Sequence, residues 1–257
     1  MSFLTVENVH HSYFSPKTVT TALQNINFDL EEGEFISLVG PSGCGKTTML
    51  SILSGLISPT EGKVQIDGQA PNSRNSSIGY MLQQDYLFPW KTIEENILLG
   101  LKLQNQLTDN RISKTLELLK EIGLEGVEKQ YPRQLSGGMR QRAALVRTLA
   151  INPKILLLDE PFSALDYQTK LKLEDLVFET LKSYRKTAVL VTHDIGEAIS
   201  MSDRILLFAA KPGRLHKIFK VPEELRTIRP FDVRSKETYS ILFQKVWKEL
   251  ESLEFDG

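Results

Sequence analysis

The chain predicts an α/β fold with an N-terminal antiparallel β region and an inserted helical subdomain, on three observations. A glycine-rich loop, Gly40 to Thr47, separates an apolar strand from an apolar helix. Short continuous apolar runs, ILLLD, TAVLV and RILLF, recur between helical segments, as expected of strands buried on both faces of a parallel sheet. From about residue 91 to 147 this alternation stops and only helical spacing remains, with Gly123 and Pro132 as breakers.

The elements follow in order. Phe3 to Val9 and Leu23 to Leu30 alternate apolar and polar residues as strands do, and Glu31 to Glu34 form a turn into the strand FISLVG. Beyond the loop, Met49, Leu50, Ile52, Leu53 and Leu56 suit a mostly buried helix. A turn and short strand in SPTEGKVQIDGQ, a polar loop PNSRNSS and the strand IGYMLQQ come next. Helical spacing then covers 92–106, 110–122 and 136–151. KILLLDE reads as strand, FSALDYQTKLKLEDLVFETLKSY as helix, TAVLVTH as strand, DIGEAISMS as helix and RILLFAA as strand. An amphipathic helix from Ser235 to Leu253 ends the pattern. The division expected is a main domain over 3–229 and a short C-terminal helical extension over 230–257.

Composition narrows the class of function. With 257 residues, 41% hydrophobic and 25% charged, the chain can bury a sizeable core. Lys and Arg (31) nearly balance Asp and Glu (32), so no global field favours a polyanion such as nucleic acid. One cysteine, Cys44, rules out an internal disulfide framework and suits a reducing compartment. The N-terminal MSFLTVENVHHSYFSPK is unlike a secretory signal and is expected to stay in the mature protein. Its longest apolar runs fall short of the ~20 residues a membrane helix needs, so a membrane role requires a membrane-embedded partner.

GPSGCGKT matches the P-loop pattern in its required setting, after a strand and opening a helix, and points to a P-loop NTPase (RecA-like) core. Small residues let successive amides converge on phosphate oxygens, and the helix dipole favours the anion. Gly40, Pro41, Ser42, Gly43, Cys44, Gly45, Lys46, Thr47 and Thr48 are the expected nucleotide-binding residues, with Lys46 on the β and γ phosphates of ATP and Thr47 on Mg²⁺. Cys44 reads as a small loop filler, since an ordinary thiol is mostly protonated at neutral pH.

Asp159 and Glu160 close an apolar strand at the sheet edge where ligands gather. Asp159 is the expected Mg²⁺ ligand; Glu160, expected to point the other way along the strand, would orient or deprotonate the attacking water. His193 ends the next strand and is placed to hydrogen-bond a γ-phosphate, whereas His10, His11 and His216 read as surface or packing residues.

LSGGMRQR, Leu135 to Arg142, taken with the P-loop, closely resembles the signature of ABC-transporter ATPases. Independently, Ser136, Gly137 and Gly138 open a helix with bare amides and a hydroxyl, a second anion grip. The resemblance covers residues 3–229 and implies a head-to-tail dimer with a second copy, each ATP held between one P-loop and the partner's signature. It also implies Tyr13 stacking on adenine, Gln83 linking Mg²⁺ and water to the membrane partner, and Ser163 to Asp166 (SALD) crossing the dimer interface. Gln83 is preferred over Gln84 by its distance to Pro89. Met139 departs from the family pattern, standing where many signatures carry glutamine.

The segments LQQDYLFPWKTIEENILLG, LSGGMRQR and RPFDVRSKETYSILFQKVWKEL are similar to the importer branch for nitrate, sulfonates and taurine, which also includes pyrimidine-type thiamine precursors. That resemblance implies an ATPase coupled to solute transport, peripheral on the cytoplasmic face of the membrane. Its partners would be permease subunits docking near Phe88 to Trp90 and an extracytoplasmic solute-binding protein. The aromatic pair is equally compatible with packing between subdomains. The tail is too short for an added regulatory domain of the sugar-importer type. Rival readings are a soluble ABC ATPase of translation or DNA repair, disfavoured by the single cassette and the short insertion, and an exporter ATPase.

Overall fold

The structure, a computed structural model, describes residues 2–71, 78–163 and 165–255. Most of the expected polar loop PNSRNSS, Ala164 of SALD and the last two residues of the C-terminal extension lie outside that description. Strands β1 (Leu4–Phe14), β2 (Val19–Leu30) and β4 (Glu61–Ile66) form an antiparallel sheet in the order β2-β1-β4. Its inward face carries Leu4 and Val6, then Val9 and His11. The change of phase falls at Asn8, whose φ of 49° goes with a register shift between Val6 and Val9.

The larger sheet combines β3 (Phe35–Val39), β5 (Ile78–Met81), β6 (Ile155–Asp159), β7 (Thr187–Val191), β8 (Arg204–Ala209) and β9 (Arg214–Lys220) in the order β5-β6-β7-β3-β8-β9. The first five are parallel and β9 runs antiparallel to β8. The continuous apolar runs have a direct cause in β6 and β7. Leu156, Leu158, Ala188 and Leu190 enter one core, with Leu145, Leu149 and Val177. Ile155, Leu157, Val189 and Val191 enter another, with Met49, Leu53 and Ile26. Each strand is sandwiched between these layers, so apolar side chains fill both faces and the polar residues, Thr187 and Asp159, stand at strand ends.

Helix α1 (Lys46–Leu53) follows the glycine-rich loop. It stops before Leu56, which is exposed and outside the helix, contrary to the expectation of burial there. Between β5 and β6 come α2 (Ile93–Ile97), α3 (Leu99–Leu103), α4 (Asp109–Glu121) and α5 (Gly137–Ala150). The single helix expected over 92–106 is therefore two, meeting at Leu98. Helix α6 (Tyr167–Ser183) begins later than the FSALD reading suggested, because Asp166 caps it by accepting the Thr169 amide at 3.0 Å. Then come α7 (Ile195–Met201), α8 (Glu223–Arg226), α9 (Pro230–Val233) and α10 (Glu237–Phe255). A third cluster joins α7 to this C-terminal part through Ile195, Ile199, Val233, Leu242 and Val246.

Strand β9 carries no strand pattern in sequence: RLHKIFK buries only Phe219, so its polar outward positions mask a strand that a single neighbour, β8, holds at the sheet edge. Among the described residues no helix is long and apolar enough to cross a membrane.

Candidate active site

Parallel pairing of β5, β6, β7 and β3 places their carboxyl ends side by side. The Gly40 loop leaves β3, Gln83 follows β5, Asp159 and Glu160 end β6, and His193 follows β7. Residues as far apart in the chain as 40 and 193 thus share one sheet edge.

The loop shows why glycine is required. Gly45, at φ 89°, is the N-cap of α1, and a Cβ on it would stand 2.5 Å from Leu23 Cδ2 and 2.8 Å from the Ala22 carbonyl oxygen. No side chain caps α1, whereas Thr92, Thr108, Ser136, Asp166 and Asp194 each cap their own helices. The first amides of α1 therefore keep their donor capacity for an anion. Lys46 Nζ donates to the carbonyls of Gly40 (2.7 Å) and Pro41 (3.0 Å) and to Cys44 Sγ (3.4 Å), which keeps the ammonium over the loop. Pro41, Ser42 and Gly43 form the open rim of that loop, and Cys44 is buried beneath it. Burial pushes the Cys44 thiol up, in accord with a filler rather than a reactive group. Thr47 is exposed at the start of α1. Thr48 Oγ1 lies 3.3 Å from the Tyr13 hydroxyl. Tyr13 itself is 49% exposed and stands edge-on to His11, with ring centroids 4.7 Å apart.

Glu160 corrects the expectation of a residue continuing the strand. Strand β6 ends at Asp159, and Glu160 turns into the left-handed region at φ 45°. Its amide donates to the Val191 carbonyl (2.9 Å), and its carbonyl accepts the Ser163 amide (3.2 Å) and hydroxyl (3.0 Å). These bonds hold a backbone conformation that costs on the order of 1–3 kcal/mol on its own. The side chain then meets two partners: Gln83 Nε2 donates to Glu160 Oε2 at 3.1 Å, and His193 Nδ1 lies 3.3 Å from the same oxygen. Gln83 Nε2 also reaches Ser163 Oγ at 3.4 Å.

Asp159 is buried, with Tyr80 Oη 3.5 Å from its Oδ2. Burial first, and then the Glu160 carboxylate, push Asp159 above the usual carboxylate range, while Lys46 pulls the other way. The same surroundings raise Tyr80 to about 12, through burial and the Asp159 charge. A cation arriving beside Asp159 and Glu160 relieves that repulsion. The Thr47 hydroxyl, the Asp159 carboxylate and the Gln83 amide oxygen, the ligands expected for Mg²⁺, are hard oxygens of the kind that ion prefers.

Ser136 caps α5 by accepting the Met139 amide at 3.3 Å. Gly138 packs so tightly on α6 that a Cβ would lie 2.5 Å from Thr169 Cγ2. Met139 is half-buried against the core that holds Leu135 and Phe162, so at this position the side chain packs inward. The rest of α5 grips the segment after β5. Gln141 Nε2 donates to the Gln83 carbonyl (3.1 Å), Arg140 Nε to Asp85 Oδ2 (2.9 Å), and Arg147 to the carbonyls of Asp85 (2.6 Å) and Tyr86 (2.7 Å). Tyr80, Asp85, Arg140 and Arg147 were not singled out from sequence; each serves the site through a residue more than fifty positions away, and no local pattern marks such a contact.

Of the other histidines, His10 is half-buried on β1, His11 is buried against Tyr13, and His216 Nε2 lies 3.1 Å from Glu249 Oε2.

A glycine-rich P-loop at the end of β3, with acids at the end of β6 two strands along the same sheet edge, makes this a P-loop nucleotide-binding fold. Comparison with known proteins narrows it. The profile of the ABC transporter family matches residues 23–163. An uncharacterized ABC transporter ATP-binding protein, YtlC of Bacillus subtilis, is 65% identical over 254 residues, spanning 99% of this chain and 98% of that protein. The aliphatic sulfonates import ATP-binding protein SsuB of Bacillus cereus is 41% identical, across 95% of this chain and 94% of its own. A solved dimeric, post-hydrolysis state of the ATP-binding cassette MJ0796 bound to ADP and Pi superposes with a TM-score of 0.75 at 38% identity, covering 85% of this chain and 99% of that one. The chain belongs to the ABC transporter family, as an ATP-binding subunit.

Proposed function

We propose that this subunit hydrolyses ATP to drive an ABC importer for a small solute of the nitrate, sulfonate or taurine type, acting as a dimer on the cytoplasmic face of the membrane. The observation that carries the hydrolytic part is the Glu160 carboxylate, steadied by Gln83 and His193 on one oxygen beside the buried Asp159. The sulfonate-import name of relatives such as SsuB, at 41% identity, supports the solute class.

In this reading the loop Gly40 to Thr48, through its backbone N–H groups other than at Pro41, and the Lys46 ammonium bind the phosphates, and Tyr13 stacks on the adenine. Thr47, Asp159 and Gln83 hold Mg²⁺; because the Gln83 amide nitrogen is bonded to Glu160, its oxygen is the atom left for the cation. Bound Mg²⁺ neutralises charge on the phosphate oxygens. Glu160 orients the attacking water and takes up its proton, and its left-handed backbone aims the carboxylate out of the strand. His193 and Gln83 keep that carboxylate from rotating. Ser136, Gly137 and Gly138 of a second copy complete the phosphate site from the other side, as the dimeric form of the MJ0796 cassette supports. Residues 3–229 form the nucleotide-binding unit, the helices within about 91–147 the inserted subdomain, and 230–257 the extension.

Phe88, Pro89 and Trp90 receive the permease. Trp90 is 70% exposed and tilts against Phe88 at 5.3 Å between ring centroids. Buried Asn96 holds this segment out by bonding the Phe88 amide (2.7 Å) and the carbonyls of Phe88, Lys91 and Thr92. Because α5 grips residues 83–86, closure at Ser136 is passed to the docking surface and to Gln83 together.

The test is reconstitution of the chain with its permease and solute-binding protein in vesicles, measuring ATP-driven uptake of an aliphatic sulfonate, taurine or nitrate. Uptake of one of these supports the reading. ATP-driven efflux, or a dimer that never forms when Mg²⁺ and ATP are supplied, sinks it.

A further inference from the structure

Both chain neighbours of His193 belong to one closed ring of polar contacts. Asp194 Oδ2 accepts the Lys170 ammonium at 2.6 Å, while its Oδ1 accepts the amides of Gly196 (2.7 Å) and Glu197 (3.2 Å). Glu197 Oε1 takes the same ammonium at 2.6 Å, and its Oε2 accepts the Thr192 hydroxyl. Thr192 Oγ1 in turn accepts the Asp194 amide at 3.0 Å, and the Thr192 amide reaches the Leu38 carbonyl on β3 at 3.3 Å. Lys170, on α6, is the one member from outside the segment 192–197, and it closes the ring.

The ring is buried at its Glu197 end and opens at Asp194: side-chain exposure is 4% for Glu197, 16% for Lys170 and 38% for Asp194. Burial opposes charge on Lys170, yet its bonds to Asp194 and Glu197 outweigh it and hold the ammonium above its ordinary value. A partly buried charge cluster of this kind contributes little net stability, because desolvation and solvent screening offset the attraction. What it supplies is a fixed geometry. The C-terminal part closes the far side. Arg234 Nη2 donates to the buried Glu174, one turn beyond Lys170 on α6, at 2.6 Å, and a Cβ at Gly196 would meet the Tyr239 hydroxyl at 2.9 Å.

We propose that Lys170 is a positioning residue for His193: by clamping Asp194 and Glu197 it fixes the backbone on both sides of the imidazole and keeps Nδ1 against Glu160. This rests on the hydrolytic reading of Glu160. Lys170 stands one turn into α6, its amide bonded to the Asp166 carbonyl at 2.9 Å, so a shift of Asp166 at the head of α6 is carried to His193 through the ammonium.

The experiment compares Lys170→Met, Lys170→Arg, His193→Ala and the double variant Lys170→Met/His193→Ala in the full chain. Three readouts are taken: steady-state Mg·ATP hydrolysis, Mg·ATP binding, and amide hydrogen exchange without nucleotide. Lys170→Met is expected to lower kcat roughly 10- to 100-fold with KM for ATP within about twofold, as misplacement of a group near the chemistry does. Lys170→Arg restores at least about half of the rate, and Lys170→Met adds less than about twofold in the His193→Ala background, since coupled residues are not additive. Exchange at the Gly196 and Glu197 amides quickens about tenfold or more while that of β3 stays unchanged.

An equal loss in both backgrounds, an unchanged kcat or unchanged exchange at residues 196 and 197 overturns the proposal. Should Lys170→Met fail to fold with two unpaired carboxylates, Lys170→Met/Glu197→Gln takes its place under the same criteria. A wild-type chain that hydrolyses no ATP refutes the hydrolytic reading; normal wild-type turnover with an unaffected Lys170→Met refutes the positioning role alone.

Discussion

Glu160 and His193 meet through a single oxygen: His193 Nδ1 lies 3.3 Å from Glu160 Oε2, the atom that also takes Gln83 Nε2 at 3.1 Å. A carboxylate held at one oxygen by two neighbours presents its other oxygen in a fixed direction. Glu160→Gln keeps the shape of the side chain and removes its capacity to take a proton. Turnover of ATP in this variant is expected to fall by about 10²- to 10⁴-fold while Mg·ATP binding is retained. Single-turnover hydrolysis and equilibrium binding measured on one preparation check this; a rate near wild type removes Glu160 from its role.

The approach of α5 to α6 at Gly138 leaves no room for a methyl group. Gly138→Ala, with its Cβ 2.5 Å from Thr169 Cγ2, is expected to destabilise the chain by about 1–3 kcal/mol. Thr169→Ser deletes that Cγ2, so the double variant recovers part of the loss. Urea unfolding of the three variants decides it, and a double variant no more stable than Gly138→Ala alone contradicts the steric account.

Burial pushes the Glu174 carboxyl up to about 7 from 4.5, against the attraction of Arg234 and Lys170 and with the help of Glu197. Below pH 4.5 the group is neutral in the folded and unfolded chain alike. From there to about 7 the unfolded chain releases the proton and the folded chain keeps it, so this group lowers stability with rising pH, by up to about 3 kcal/mol in all. The melting temperature of Glu174→Gln relative to wild type should therefore move in favour of the variant across this window. A difference that stays constant between the two pH limits rejects it.

Trp90→Ala removes an exposed indole and little of the core, so the unfolding free energy is expected to change by no more than ~0.5 kcal/mol. Capture of the permease in detergent should drop by about tenfold or more, as loss of an aromatic anchor does. Undiminished capture, or a large loss of stability, returns the aromatic pair to a packing role.

Much of the molecule was legible because its physics is local. A glycine-rich turn before a helix, an apolar run ending in acids and a serine-glycine cap each state their chemistry within eight residues. The continuous apolar strands announced burial on both faces, and β6 bears this out by sending Leu156 and Leu158 to one core and Ile155 and Leu157 to another. Local pattern misled where a neighbour overrode it. Leu56 lies beyond the end of α1 and stays exposed, and β9 is a strand only because β8 pairs with it.

The amino-acid sequence by itself determined the phosphate loop, the acidic strand end, the helix-opening serine and the α/β alternation, since short-range sterics and hydrogen bonding are set by adjacent residues. Only the tertiary structure decided that Glu160 leaves the strand in a left-handed turn, that Gln83 and His193 converge on it, and that Lys170 closes a ring around Thr192, Asp194 and Glu197. Those relations depend on strand order and helix packing, which bring together groups separated by tens of residues, and a chain read in one dimension carries no distance between them.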